Sequence, residues 1–164
     1  MTEKQKYRVL EQFKEFEIRE YQPVVLADVL VSSDRSSAGS QAFRPLFDYI
    51  STNKISMTAP VIQEEAANNE WRVSFVMPAE TKMEDLPLPM KSPVLLRQLR
   101  SEKVAARRFS GGTDDSSVKK EEEKLRSEVV AHGFTVIGPI RVARFNAPWV
   151  PSLFRHNEVL ISIE

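Results

Sequence analysis

A short phrase occurs twice in this chain of 164 residues. Asn69-Glu70-Trp71-Arg72-Val73-Ser74-Phe75 reads against Asn157-Glu158-Val159-Leu160-Ile161-Ser162-Ile163, and ahead of it Ala59-Pro60 reads against Ala147-Pro148 at the same spacing of 88 positions. Upstream, Ile18-Arg19, Ala27 and Ser32 answer Leu96-Arg97, Ala105 and Ser110 at a spacing of 78. A long internal repeat restricts the chain to folds that two similar units can build together. The expected arrangement is pseudo-twofold, with halves at about 16–77 and 94–164. A ligand would then lie at the seam between the halves.

Each half shows the same order of local signals. Phe16 to Tyr21 alternates as a half-buried strand does. After Pro23, the β-branched run Val24 to Val31 reads as its hairpin partner. Ser32 to Ser40 reads as polar punctuation. Phe43, Leu46, Phe47 and Ile50 follow at i, i+3, i+4 and i+7, the spacing of one helix face. Pro45 lacks an N–H, so it is expected in the first turn of that helix, with Asn53 as its stop. Lys54 to Gln63 and Trp71 to Met77 read as strands. A Pro-rich stretch, 78–93, then links the halves. The second half repeats the order. Strands are expected at Val94 to Arg100 and Val104 to Ser110. A helix capped by Asp114-Asp115-Ser116 carries a Val118, Leu125 and Val129 stripe and ends near His132-Gly133. Strands at Ile140 to Phe145 and Glu158 to Ile163 close the unit. One further strand is expected near Tyr7 to Leu10. Two β-β-α-β-β units make the fold α+β, within one domain spanning 1–164.

Composition narrows the function. Lys plus Arg equal Asp plus Glu at 23 each, so no net field draws the chain to nucleic acid or an anionic membrane. Without cysteine there is no disulfide, thiolate metal site, covalent haem attachment or Cys nucleophile. The cysteine-free composition and the polar N-terminus suggest a cytoplasmic protein. No apolar run nears the ~20 residues of a spanning helix. No nucleophile elbow, phosphate-cradling glycine loop or paired-His zinc helix is present, so no catalytic residue is assigned. Glu64-Glu65 and Glu121 to Glu123 read as solvated acidic faces.

Lys54-Ile55-Ser56-Met57-Thr58-Ala59-Pro60-Val61 resembles the signature strand of the SOUL family of haem-binding proteins. Asn146 to Val159, with Trp149-Val150-Pro151 and Phe154-Arg155-His156-Asn157-Glu158, resembles that family's second signature. Tyr7-Arg8-Val9-Leu10, Tyr21 and Ala27-Asp28-Val29 match its opening. The resemblance spans nearly the whole chain. It implies a distorted antiparallel β-barrel flanked by two helices, with kinship to GyrI-like domains that bind varied small molecules. It also implies non-covalent binding of haem or a related tetrapyrrole between the first helix and the loop before the last strand.

On that resemblance Arg44 stands where a helix residue meets a propionate, and Lys54 is the nearest candidate for a second basic position. Val150 stands where a lysine is expected, and no histidine precedes the first helix. From their own chemistry, Phe43, Phe47, Met57, Trp149 and Phe154 could wall a planar apolar ligand, although Phe47 is expected in the core. Trp149, in a Pro-flanked loop, could cap a pocket. His156 is the candidate iron ligand; His132, at a helix end, serves the helix dipole. The rival readings are a hydrolase or tetrapyrrole dechelatase using the same cleft, with Glu158 and Tyr49 as its working groups, and a module that binds a peptide or protein there. Oligomeric state is not legible.

Overall fold

The computed structural model describes residues 2–147 and 149–164. Eleven strands and two α-helices follow the expected order: β1 (Glu3–Lys4), β2 (Tyr7–Gln12), β3 (Glu17–Tyr21), β4 (Val24–Ser32), α1 (Arg35–Thr52), β5 (Thr58–Ala59), β6 (Val61–Ala67), β7 (Glu70–Val76), β8 (Leu95–Leu99), β9 (Glu102–Phe109), α2 (Asp115–Ala131), β10 (Val136–Arg144) and β11 (Asn157–Ile163). Nine strands form one curled antiparallel half-barrel in the order β2-β3-β9-β11-β10-β6-β7-β4-β8, while β1 and β5 pair in parallel. From β3 to β8 this order is unchanged when β3, β9, β11 and β10 are exchanged with β8, β4, β7 and β6. The two β-β-α-β-β units therefore meet at the β6–β10 seam and exchange their first strands, β3 pairing with β9 and β8 with β4, so that β3 and β4 are not the hairpin partners the sequence suggested.

The ladders test each echo. Ala27 pairs with Phe75, and Ala105 pairs with Ile161. The structural counterpart of Phe75 is thus Ile161, two residues before the residue the echo suggested. A shift of two keeps each side chain on its own face. Ala27 and Ala105 are both fully buried beneath a helix. The Ala-Pro echo fails. Ala59 lies in β5, before the third strand of its unit, whereas Ala147 follows β10, the third strand of the other unit. Pro148 lies outside the described residues.

Both helices cover one face of the sheet. Val25, Val29, Val73 and Phe75 meet Ala38, Ala42, Leu46 and Ile50 of α1. Val159 and Ile161 meet the fully buried Val118, Leu125 and Val129 of α2, as the stripe required. Helix α1 begins well before the expected start. Asp34 caps it, its side chain accepting from the Ser37 N–H at 2.8 Å. Ser32 to Ser40 is therefore mostly helix, and Pro45 lies in the helix interior, not in its first turn. The residue whose carbonyl loses its usual partner there, Gln41, is exposed, so water can replace the missing bond. The longer helix also rotates the buried stripe to Ala38, Ala42, Leu46, Tyr49 and Ile50. Phe47, expected in the core, is 43% exposed. The strand expected from Lys54 starts only at Thr58, because Lys54 takes a left-handed φ of 56° that ends the helix. The Tyr49 hydroxyl donates to the Pro87 carbonyl at 2.6 Å, tying α1 to the Pro-rich link.

Candidate functional site

The rotated stripe leaves two aromatic rings uncovered on the flank of α1. Phe43 and Phe47 lie one turn apart and stack with centroids 5.7 Å apart and planes 12° from parallel. Phe43 also sets its edge on Phe75 at 5.5 Å. Met57, after the helix, is half-buried against the α1 core. Lys54 is exposed at the helix end. Arg44 is exposed too and already faces Asp48 at 3.5 Å.

The β10–β11 loop carries the other aromatic candidates. Trp149 is 84% exposed and Phe154 is 73% exposed. The loop holding them is anchored. Gly111 N–H donates to the Ser152 carbonyl at 2.8 Å, Arg155 Nε donates to the Val150 carbonyl at 2.8 Å, and Asn157 Nδ2 donates to the Gly111 carbonyl at 3.1 Å. Phe75 pairs with Val61, and Val61 with Arg144, the last residue of β10. The loop base is thus two strand spacings, about 10 Å, from the strand that Phe43 touches. Phe43 and Phe47 are brought together, Met57 packs on the buried core beneath α1, and Trp149 and Phe154 stand across this gap.

His156 turns the other way. Its ring stacks on Phe145 at 4.1 Å, and its Nε2 lies 2.9 Å from Glu158 Oε2. Glu158 also accepts two bonds from Arg19, at 2.7 and 2.9 Å. Arg19 Nη1 donates to the Tyr21 hydroxyl, Arg19 Nε donates to Glu17, and the guanidinium lies 4.0 Å over the Tyr7 ring. Burial alone would raise the Glu158 pKa, but His156 and Arg19 hold it down at about 2. Burial likewise works against the charge of Arg19, yet its bond to Glu158 leads the contacts that keep its pKa above the ordinary value. Burial pushes the Tyr21 phenol up, with Arg19 opposing. A cleft of about 330 Å³ opens beside this cluster, between β2 and the start of β11. Among the described residues no three His, Asp or Glu side chains are grouped to hold a metal ion.

Across the seam, on the face without helices, other ion pairs fill the space. Arg97 binds Asp28 at 2.7 Å, Arg72 binds Glu64 at 2.7 Å, and Arg141 binds Glu102 at 2.9 Å. They leave a hollow of about 30 Å³, room for one water. Glu64, expected on a solvated face, is buried here. Glu121 and Glu122 also turn inward, to Arg107 and Arg35. The buried role of Glu158 was not foreseen either. The usable signal was its place at the head of an apolar strand that central pairing buries on both sides.

The sequence model of the SOUL heme-binding protein family matches residues 2–162. No curated protein sequence matches the chain. Among solved structures, the EcmrR C-terminal domain is similar at a TM-score of 0.71 and 12% identity, covering 96% of this chain and 98% of that one. SAV2435 bound to tetraphenylphosphonium is similar at a TM-score of 0.57 and 9% identity, over 92% and 94% of the two chains. A hydrolase from Listeria innocua is similar at 0.65 and 9% identity, over 94% of each. At these identities the likeness concerns the fold. No helix among the described residues is long and apolar enough to cross a membrane.

Proposed function

Because the chain belongs to the SOUL heme-binding protein family, we propose that it binds haem or a related tetrapyrrole, without covalent attachment, between the α1 flank and the loop before β11. The observation that carries this reading is the uncovered pair Phe43 and Phe47, stacked at 12° and facing solvent beside the buried stripe of Ala38, Ala42, Leu46, Tyr49 and Ile50. Stacked rings offer a flat apolar surface matched to a planar macrocycle. Trp149 and Phe154 supply a second wall. Burying on the order of 300 Å² of ligand surface at ~25 cal/mol/Å² gives about 7.5 kcal/mol gross. Association costs reduce that gain, so the binding is micromolar at best unless iron gains a ligand.

A haem titration of the purified chain tests the proposal. A Soret shift saturating at one equivalent is the expected result, and its absence sinks the reading. Loss of iron or consumption of the ligand over time would point to turnover instead. Trp149→Ala should weaken binding by about 2 kcal/mol or more, as for a buried aromatic anchor. Haem should also quench Trp149 fluorescence. The buried Trp71 gives the background, read in a Trp149→Phe variant. Equal quenching in that variant would move the site elsewhere.

A further inference from the structure

Arg144 differs from the other half-buried arginines of the sheet and helices. Arg19, Arg35, Arg107 and Arg141 each meet a carboxylate at 2.7 to 2.9 Å. Arg144, at the end of β10, meets none among the described residues. Its one partner is the Gln63 side-chain oxygen, which accepts from Nη2 at 2.5 Å. Burial and the neighbouring Arg35 both push its pKa down, so its charge is uncompensated where it sits. Arg35 offers it no relief, being itself held by Asp115 and Glu122.

The position of this guanidinium gives its charge a use. It fills the space a side chain at Gly39 would take: a Cβ there would lie 2.8 Å from Arg144 Nη2. Gly39, Phe43 and Phe47 are at i, i+4 and i+8, and so share one stripe of α1. The cation therefore sits at the Gly39 position, one helical turn along the same stripe from the residue that carries the first of the stacked rings. It also stands at the base of the loop that carries Trp149. Among the described residues its Nε and Nη1 have no hydrogen-bond partner, and neither is sealed. Arg141 Nε is the one fully buried side-chain nitrogen or oxygen left without a bond among the described residues. Arg44, by contrast, projects about 100° round the helix from Phe43 and faces Asp48.

We propose that Arg144 receives a carboxylate of the tetrapyrrole, with Gly39 making room for its guanidinium beside the Phe43–Phe47 platform. This inference rests on the binding reading above and assigns the polar end of that site. A carboxylate there would gain charge-assisted bonds from two N–H groups that the protein leaves open.

The test compares ferric haem with its dimethyl ester, which has the same ring and iron but no free carboxylate, on the full chain. Arg144→Gln should lower haem affinity about tenfold or more, the scale of a lost charge-assisted bond, while ester affinity moves less than about threefold. Arg144→Lys should restore part of the difference. Gly39→Ala, which crowds the guanidinium without removing it, should also cost haem more than ester, and it carries the test if Arg144→Gln does not fold. Haem affinity within about threefold of wild type in a folded Arg144→Gln overturns the assignment. So do equal losses for haem and ester, which would make Arg144 a prop for the surface. Wild type that binds neither compound removes the binding reading and this inference together. Wild type that binds both, with Arg144→Gln indifferent, removes only the inference.

Discussion

On the face without helices, Arg72 and Arg97 each reach a carboxylate of a neighbouring strand, and Arg19 and Arg141 reach across one intervening strand to Glu158 and Glu102. On the opposite face, beside α1, Arg144 reaches only an amide, and Phe43 and Phe47 keep nearly half of their surface in water. One strand order thus serves two surfaces with different electrostatics. In closed ion pairs each charge already has its partner, and the one bond left unmade there, at Arg141 Nε, is buried away from any ligand. Their net contribution to folding is small, since desolvation offsets the attraction. The α1 flank keeps both an apolar and a cationic demand unmet. A ligand with a flat ring and a carboxylate would meet both at once.

The largest effect that could break this contrast is structural. Glu158→Ala would leave Arg19 buried without its bidentate partner and His156 without its contact. Breaking a buried pair from one side costs about 3–5 kcal/mol, measured by denaturant unfolding against wild type. A loss under 1 kcal/mol, on the scale of ~0–1 kcal/mol for exposed pairs, would show that the cluster is far wetter than its burial indicates. Acid should reproduce part of the effect. The folded pKa of Glu158, about 2, lies below its ordinary value of 4.5. Its stabilisation is therefore fully present above about pH 4.5 and is lost as the pH falls toward 2, to the extent of about 3 kcal/mol. Glu158→Gln should flatten that part of the pH–stability curve.

Much of the sheet and α2 could be read in the chain because those signals are local. Alternation marks β3, β-branched residues mark β4, and Val118, Leu125 and Val129 recur on one helix face. The start of α1 was hidden by small polar residues. The pattern of Ala38, Ala42, Leu46 and Tyr49 was present, but alanine carries little weight in a hydrophobic pattern that Phe43 and Phe47 dominate. That same bias placed Phe47 in the core. The aromatic candidates came from composition and loop context together with resemblance. Arg144 escaped because its meaning depends on three separated segments: a glycine on α1, a glutamine on β6 and the end of β10. No spacing rule links them. The Ala-Pro echo misled for the opposite reason, since two residues recur easily without structural equivalence.

His156 offers a sharper and smaller test of the contrast between faces. Its ring belongs to the ion-paired side, stacked on Phe145 and bound through Nε2 to Glu158. An iron on the α1 flank would have no direct path to that nitrogen. His156→Ala should therefore change haem affinity less than tenfold, or about 1.4 kcal/mol, with the spin state in the optical spectrum unchanged. A hundredfold loss together with a spin-state change would make His156 the iron ligand and carry the site across the sheet.

The smallest expected effect concerns Arg44, the residue that resemblance alone places at a propionate. Its side chain is 85% exposed, and its partner Asp48, 3.5 Å away, is 61% exposed. A pair so open to water is worth about 0–1 kcal/mol at best, and salt screens it further. To bind a ligand carboxylate, Arg44 would have to leave Asp48, which reduces the gain again. Arg44→Ala should thus weaken haem binding by less than ~1 kcal/mol, and raising the salt concentration should shrink even that difference. Isothermal titration at low and high salt measures it. Should Arg44→Ala lose more affinity than Trp149→Ala, charge on the outer helix surface would outweigh the aromatic platform. The cationic end of the site would then belong to α1 and not to β10.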